Sequence, residues 1–110
     1  MTTRDEIEKH LKHHLSSLEM AEEHLLAATL KYERAKLATL RAEDAALLAG
    51  AADGKNAEIR SAQVRAATIV QASNESMERA VMLTSDSELR TARASLSVWL
   101  ALAQLNGGID

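Results

Sequence analysis

Between Thr3 and Ala49 the chain contains neither glycine nor proline, and the same holds from Lys55 to Asn106. All four glycines fall in two places, Gly50 with Gly54 and Gly107 with Gly108, and proline is absent. These two residues are the strongest breakers of regular structure, so their confinement predicts one turn, one terminus and two long uninterrupted arms. A chain of 110 residues has room for one domain. Aromatic residues at 2% are too few for the packed strands of a sandwich or barrel, which leaves helices for the arms. With 46% hydrophobic and 26% charged residues, the chain is too apolar to be disordered.

The boundaries have local signals. Thr3 and Glu6 are spaced as a capping box, in which hydroxyl and carboxylate each satisfy a backbone donor at a helix start. Gly50 suits the left-handed position that closes a helix. Residues 50–55 form the turn, and Asp53 or Asn56 is placed to cap the next helix. In the second arm the apolar and small residues first follow Ile59, Ala62, Ala66, Ile69, Ser73, Met77, Ala80 and Leu83. They then resume out of phase as Leu89, Ala92, Leu96, Trp99 and Ala103. Ser85 and Glu88 are spaced as another capping box between the two runs. The expected layout is therefore a single all-α domain: helix 1 about 3–49, helix 2 about 56–83, helix 3 about 86–105 and a tail at 106–110. One continuous second helix with a phase slip is the alternative.

Helix 1 carries two superposed heptad series. Leu11, Leu18, Leu25 and Tyr32 occupy one position, and Ala21, Ala28, Ala35, Ala42 and Ala49 another. A leucine stripe beside an alanine stripe lets a neighbouring helix approach closely. After a short turn that neighbour is most simply the second arm, packed antiparallel as a long coiled-coil-like hairpin. Pairing about the turn would bring Ile7 near Val98 and Trp99. From residue 25 onward a second stripe, Leu26, Leu30, Leu37, Leu40, Leu47 and Leu48, widens the apolar surface to about 200°, twice what one partner helix can bury. Near the end of the chain, Leu96, Trp99 and Leu100 face one way and Val98, Leu102 and Leu105 the other. A hairpin this small cannot supply a sufficient core by itself, so a homodimer or larger helical bundle is expected. The residues assigned to that assembly are Leu11, Leu18, Leu25, Leu26, Ala28, Leu30, Tyr32, Ala35, Leu37, Leu96, Trp99, Leu100 and Leu102.

The stretch from Gly54 to Gln63, Gly-Lys-Asn-Ala-Glu-Ile-Arg-Ser-Ala-Gln, resembles a turn motif of small helical-hairpin proteins encoded by bacteriophages and prophages. In those proteins a long Ala/Glu/Leu-rich helix leads into the motif, and the helix after it ends in an Arg/Leu-rich stretch like Arg93 to Leu102. The resemblance implies an accessory protein of the bacterial host cytoplasm, or one associated with the virion, and carries no established chemistry. The residues themselves describe an ordinary capped turn: Gly54 for an unusual backbone conformation, Asn56 as cap, Arg60 reaching back to Asp53 or Glu58. Lys55, Asn56 and Arg60 are alternatively a tip that contacts a partner.

Catalytic and ligand-binding chemistry finds little material. No cysteine is present and no serine lies in a nucleophile-elbow motif, so no enzyme is expected. His10 and His14 share one helical face, with His13 and His24 nearby, but a zinc site wants three or four converging ligands. Neither metal nor cofactor is expected. His14 shares the alanine-series position and should pack against the segment from Leu89 to Trp99. Lys31, Arg34 and Arg41 form a basic arc, yet the first 50 residues carry 9 acids against 7 bases and the rest 7 against 6. Direct nucleic-acid binding is thus not expected, although an accessory role in phage DNA replication or recombination is the alternative class. No apolar run approaches the roughly 18–20 residues of a membrane span, and no signal peptide or membrane partner is expected. The expected partners are further copies of the chain and another phage or host protein.

Overall fold

The computed structural model describes residues 3–106, and the predicted tail beyond Asn106, with Gly107 and Gly108, lies outside them. The described residues form three helices and no strand: α1 (Arg4–Leu48), α2 (Ala57–Ala67) and α3 (Ile69–Leu105). The chain is all-α, an antiparallel hairpin with α1 as one arm and α2 and α3 as the other.

Helix α1 starts where its capping residue places it: Thr3 Oγ1 accepts from the Glu6 N–H at 3.2 Å, and Asp5 and Glu6 put negative charge in the first turn. Its end is a Schellman closure. Gly50, at φ +80°, donates to the Leu47 carbonyl, and the Ala51 N–H reaches the Ala46 carbonyl at 2.9 Å.

The second arm departs from expectation. No break occurs near residue 84; α3 runs through it, and the interruption lies at Thr68, between α2 and α3. Thr68 is 3% exposed, its N–H is shared between the Val64 and Arg65 carbonyls, and its hydroxyl donates back to Val64 O at 2.9 Å. Thr39 makes the same back-bond, to Ala35 O at 3.1 Å, without interrupting α1. The neighbours account for the difference. Thr68 opens a run of three β-branched residues, Thr68-Ile69-Val70, whose side chains crowd the preceding turn, whereas Thr39 sits between Ala38 and Leu40.

The expected break at 84 came from following the wrong stripe. The inward residues of α3 keep strict heptad spacing throughout, as Thr68, Glu75, Met82, Leu89, Leu96 and Ala103, interleaved with Gln71, Glu78, Ser85, Ala92 and Trp99. All are buried or half-buried. Ile69, Met77 and Leu83, which set the phase of the predicted first run, are exposed. Ser85 is a buried interior residue of α3, with Glu88 one turn further along, so it marks no helix start.

Two compact units divide the hairpin. The first joins the residues up to Ala27 with those from Leu83 onward, and the second is Ala28–Met82. In the first, Ile7 (1% exposed), Ala21, Leu89 and Ala103 are buried, with Leu11, Leu18, Leu96 and Trp99 half-buried around them. In the second, the buried residues are Ala28, Ala35, Thr39 and Thr68, flanked by half-buried Tyr32, Gln71, Glu75 and Glu78.

Candidate interaction surface

In the first unit, α1 presents imidazoles to the charge-free stretch of α3 from Ala94 to Asn106. His10 stacks on Trp99 with ring centroids 3.8 Å apart and planes 7° off parallel. His14 lies 6.1 Å from the same indole, half-buried as its heptad position predicts, and His13 meets it edge-on at 5.2 Å. Of the aromatic rings around Trp99, that of His10 is nearer than that of His14. The imidazoles are consumed in ring contacts; among the described residues no group of three or more His, Cys, Asp or Glu is placed to hold a metal ion.

Beside this stack runs an open groove of about 770 Å³. Small residues of the two helices, Ser17, Ala21, Ala92 and Ser95, leave it shallow, and Met20 and Leu83 make its apolar margin. It is a furrow between two helices, and His13, His14, His24 and Glu88 supply the polar part of its lining.

The turn is self-contained. Asn56 caps α2 through Oδ1, which accepts from the Ile59 N–H at 2.9 Å. Gln63 closes it from the far side, accepting from the Gly54 N–H at 2.9 Å and donating to Asp53 Oδ1 at 2.8 Å. Arg60 donates to the Gly54 carbonyl at 3.1 Å, not to Asp53 or Glu58 as expected. Gly54 is needed for space rather than for φ: Gly50 alone of the described residues has positive φ, while a Cβ at Gly54 would collide with the Ile59 side chain. Of the three tip residues, Asn56 and Arg60 are engaged within the turn and Lys55 is exposed. Gln63 went unremarked in sequence, since its clasp joins residues nine and ten positions apart.

The second unit has the most unusual surface. Its buried residues are alanine and threonine, and its half-buried ones include the polar Gln71, Glu75 and Glu78 beside Tyr32 and Met82. Glu78 shares a shallow groove with Lys31 and Arg34 across the helix pair. Outward, α1 presents Leu30, Leu37, Leu40 and Leu47, each about half exposed, and α3 presents Ile69, Val70, Met77 and Val81, with Val70 at 73%. Among the residues assigned to assembly, Ala28 and Ala35 are buried by the chain's own second arm, and Leu11, Leu18, Leu25, Tyr32, Leu96, Trp99 and Leu102 are partly covered. Leu26, Leu30, Leu37 and Leu100 remain exposed, and they are what the fold leaves for another molecule.

No family model, curated protein or solved structure matches this chain. The fold and surface define a class by themselves: an all-α hairpin that turns apolar rows outward. No helix of the described residues is long and apolar enough to cross a membrane.

Proposed function

We propose that this chain is a non-enzymatic accessory protein of a bacteriophage or prophage, acting in the host cytoplasm or in the virion by protein–protein interaction as a homo-oligomer of helical hairpins. One observation carries the reading: in the unit Ala28–Met82 most of the large apolar residues, Tyr32, Val64 and Met82 apart, are exposed while Gln71, Glu75 and Glu78 occupy inward heptad positions. Contiguous apolar surface of this kind on a small chain marks an interaction site. A lone hairpin places its leucines in water and its carboxylates between helices, and association removes the first cost. The phage setting rests on the turn motif from Gly54 to Gln63, whose clasp, cap and spacing form one consistent device.

Sedimentation at micromolar concentration tests the oligomer: a mass of more than one 11.9 kDa chain supports it, and a single-chain mass throughout refutes it. Mass spectrometry of purified virions then separates a structural component from an intracellular one. The DNA-metabolism alternative gains little, because two members of the basic arc, Lys31 and Arg34, share their groove with the carboxylate of Glu78.

A further inference from the structure

The dipeptide Asp53-Gly54 has a chemistry of its own. An aspartyl side chain can be attacked by the backbone nitrogen of the next residue, and glycine, with no Cβ in the way, permits the attack most readily. Asp5, Asp44 and Asp86 precede residues with side chains and lie inside α1 and α3, where the backbone is fixed. Among the described aspartates, Asp53 alone lies outside a helix and precedes glycine. The fold requires that glycine, because a Cβ at Gly54 would run into the Ile59 side chain. The turn is thus tied to a reactive pair.

One side chain holds both reacting groups. The Gly54 N–H, whose nitrogen would be the nucleophile, donates to Gln63 Oε1 at 2.9 Å. The Asp53 carboxylate, whose Cγ would be attacked, accepts at Oδ1 from Gln63 Nε2 at 2.8 Å. A side-chain amide offers one acceptor oxygen and one donor nitrogen, so these two partners also fix which way Gln63 points. Arg60 holds the far side of the same glycine, donating to its carbonyl at 3.1 Å. Ring closure needs the Gly54 nitrogen to give up its proton and Cγ to come within bonding distance, so both Gln63 contacts must break first. We propose that Asp53–Gly54 is a latent isomerisation site and that Gln63 keeps it unreacted by engaging nucleophile and electrophile together. The device belongs to the turn alone and does not depend on the oligomer.

The step needs no co-reactant but water. The Gly54 nitrogen bonds to Asp53 Cγ, a carboxyl oxygen leaves as water with the amide proton and an acid proton, and a cyclic imide results. Water then opens the ring. Opening at Cγ restores aspartate, whereas opening at the main-chain carbonyl routes the chain through Cγ and leaves a carboxylate on the former main-chain carbon. That isoaspartate is one backbone atom longer and displaces the carboxylate that Gln63 holds.

The test compares full-length wild type with Gln63→Met, which keeps the side-chain length and removes both contacts, helicity being checked by circular dichroism. Each is incubated at neutral pH for weeks, and isoaspartate at Asp53 is counted by peptide mapping, where the isomer separates at unchanged mass. Losing two hydrogen bonds of ordinary net strength predicts a rate about tenfold or more above wild type. Asn56→Ala, which removes the α2 cap but touches neither reacting group, should stay near the wild-type rate. Wild type in guanidinium chloride, a comparison that needs no variant, should isomerise far faster than the folded chain. A Gln63→Met rate equal to wild type overturns the inference. An Asn56→Ala rate equal to that of Gln63→Met overturns it too, since protection would then belong to the turn as a whole. So does wild type that reacts as fast folded as denatured.

Discussion

The two units of the hairpin solve the same packing problem with opposite materials. The unit containing both ends of the described chain buries Ile7, Leu89 and Ala103 and surrounds them with Leu11, Leu18, Leu96 and Trp99. The unit Ala28–Met82 buries two alanines and two threonines and admits Gln71, Glu75 and Glu78 beside them. Both keep heptad spacing, so regular geometry is common to them and the chemistry of the seam is not. Stability in the first comes from its own core. In the second, the large apolar side chains are mostly on the outside, as Leu15, Leu26 and Val98 also are in the first, without a comparable apolar core beneath them.

Substitutions can break that contrast. Ile7→Ala removes a fully buried side chain and should cost about 2–5 kcal/mol in urea denaturation, whereas Leu30→Ala, at a half-exposed position, should cost a single chain well under about 1 kcal/mol. The Leu30 variant should instead weaken association, read as a lower mass in sedimentation. Glu75→Leu with Glu78→Leu should raise single-chain stability by about 1–2 kcal/mol, since each gives the seam an apolar side chain where it now holds a half-buried carboxylate. A melting temperature that falls in that variant would show that the carboxylates are needed where they are. At the turn, Gly50→Ala forces a side chain into positive φ and should cost about 1 kcal/mol, and Asn56→Ala should cost about as much through loss of the cap. The smallest effect is expected for Asp86→Asn: its 2.7 Å pair with Arg90 is exposed and spans one helical turn, so thermal melting should change by less than about 0.5 kcal/mol.

Much of this architecture is legible in the residues. Helix α1 ends within one position of each predicted boundary, because Thr3 and Gly50 have local chemistry that reads without tertiary context. The leucine and alanine heptads correctly mark its inward face, and Thr39 and Ala46 extend the leucine series to the turn. The second arm departs from its sequence pattern for a physical reason. Periodicity finds apolar residues, and in α3 before Met82 the large apolar residues are on the outside. A reading that assumes the core is apolar follows Ile69 and Met77 rather than Glu75 and Glu78, then needs a break to rejoin Leu89. Thr68 carries a weak signal, the β-branched run it opens. The stack of His10 on Trp99 has none, since it depends on the register in which α1 meets α3 within the first unit. The outward row is legible on α1 and concealed on α3, where Ile69 and Met77 fall on the stripe that periodicity picks out.

Amide hydrogen exchange on the wild-type chain at low and high micromolar concentration tests the contrast between the units most directly. Protection around Ile7 and Leu89 should be the same at both concentrations, and protection from Ala28 to Met82 should rise with concentration as the outward rows are covered. Protection in that region equal to the first unit's and independent of concentration would contradict the account, because the hairpin would then be holding its polar seam together unaided.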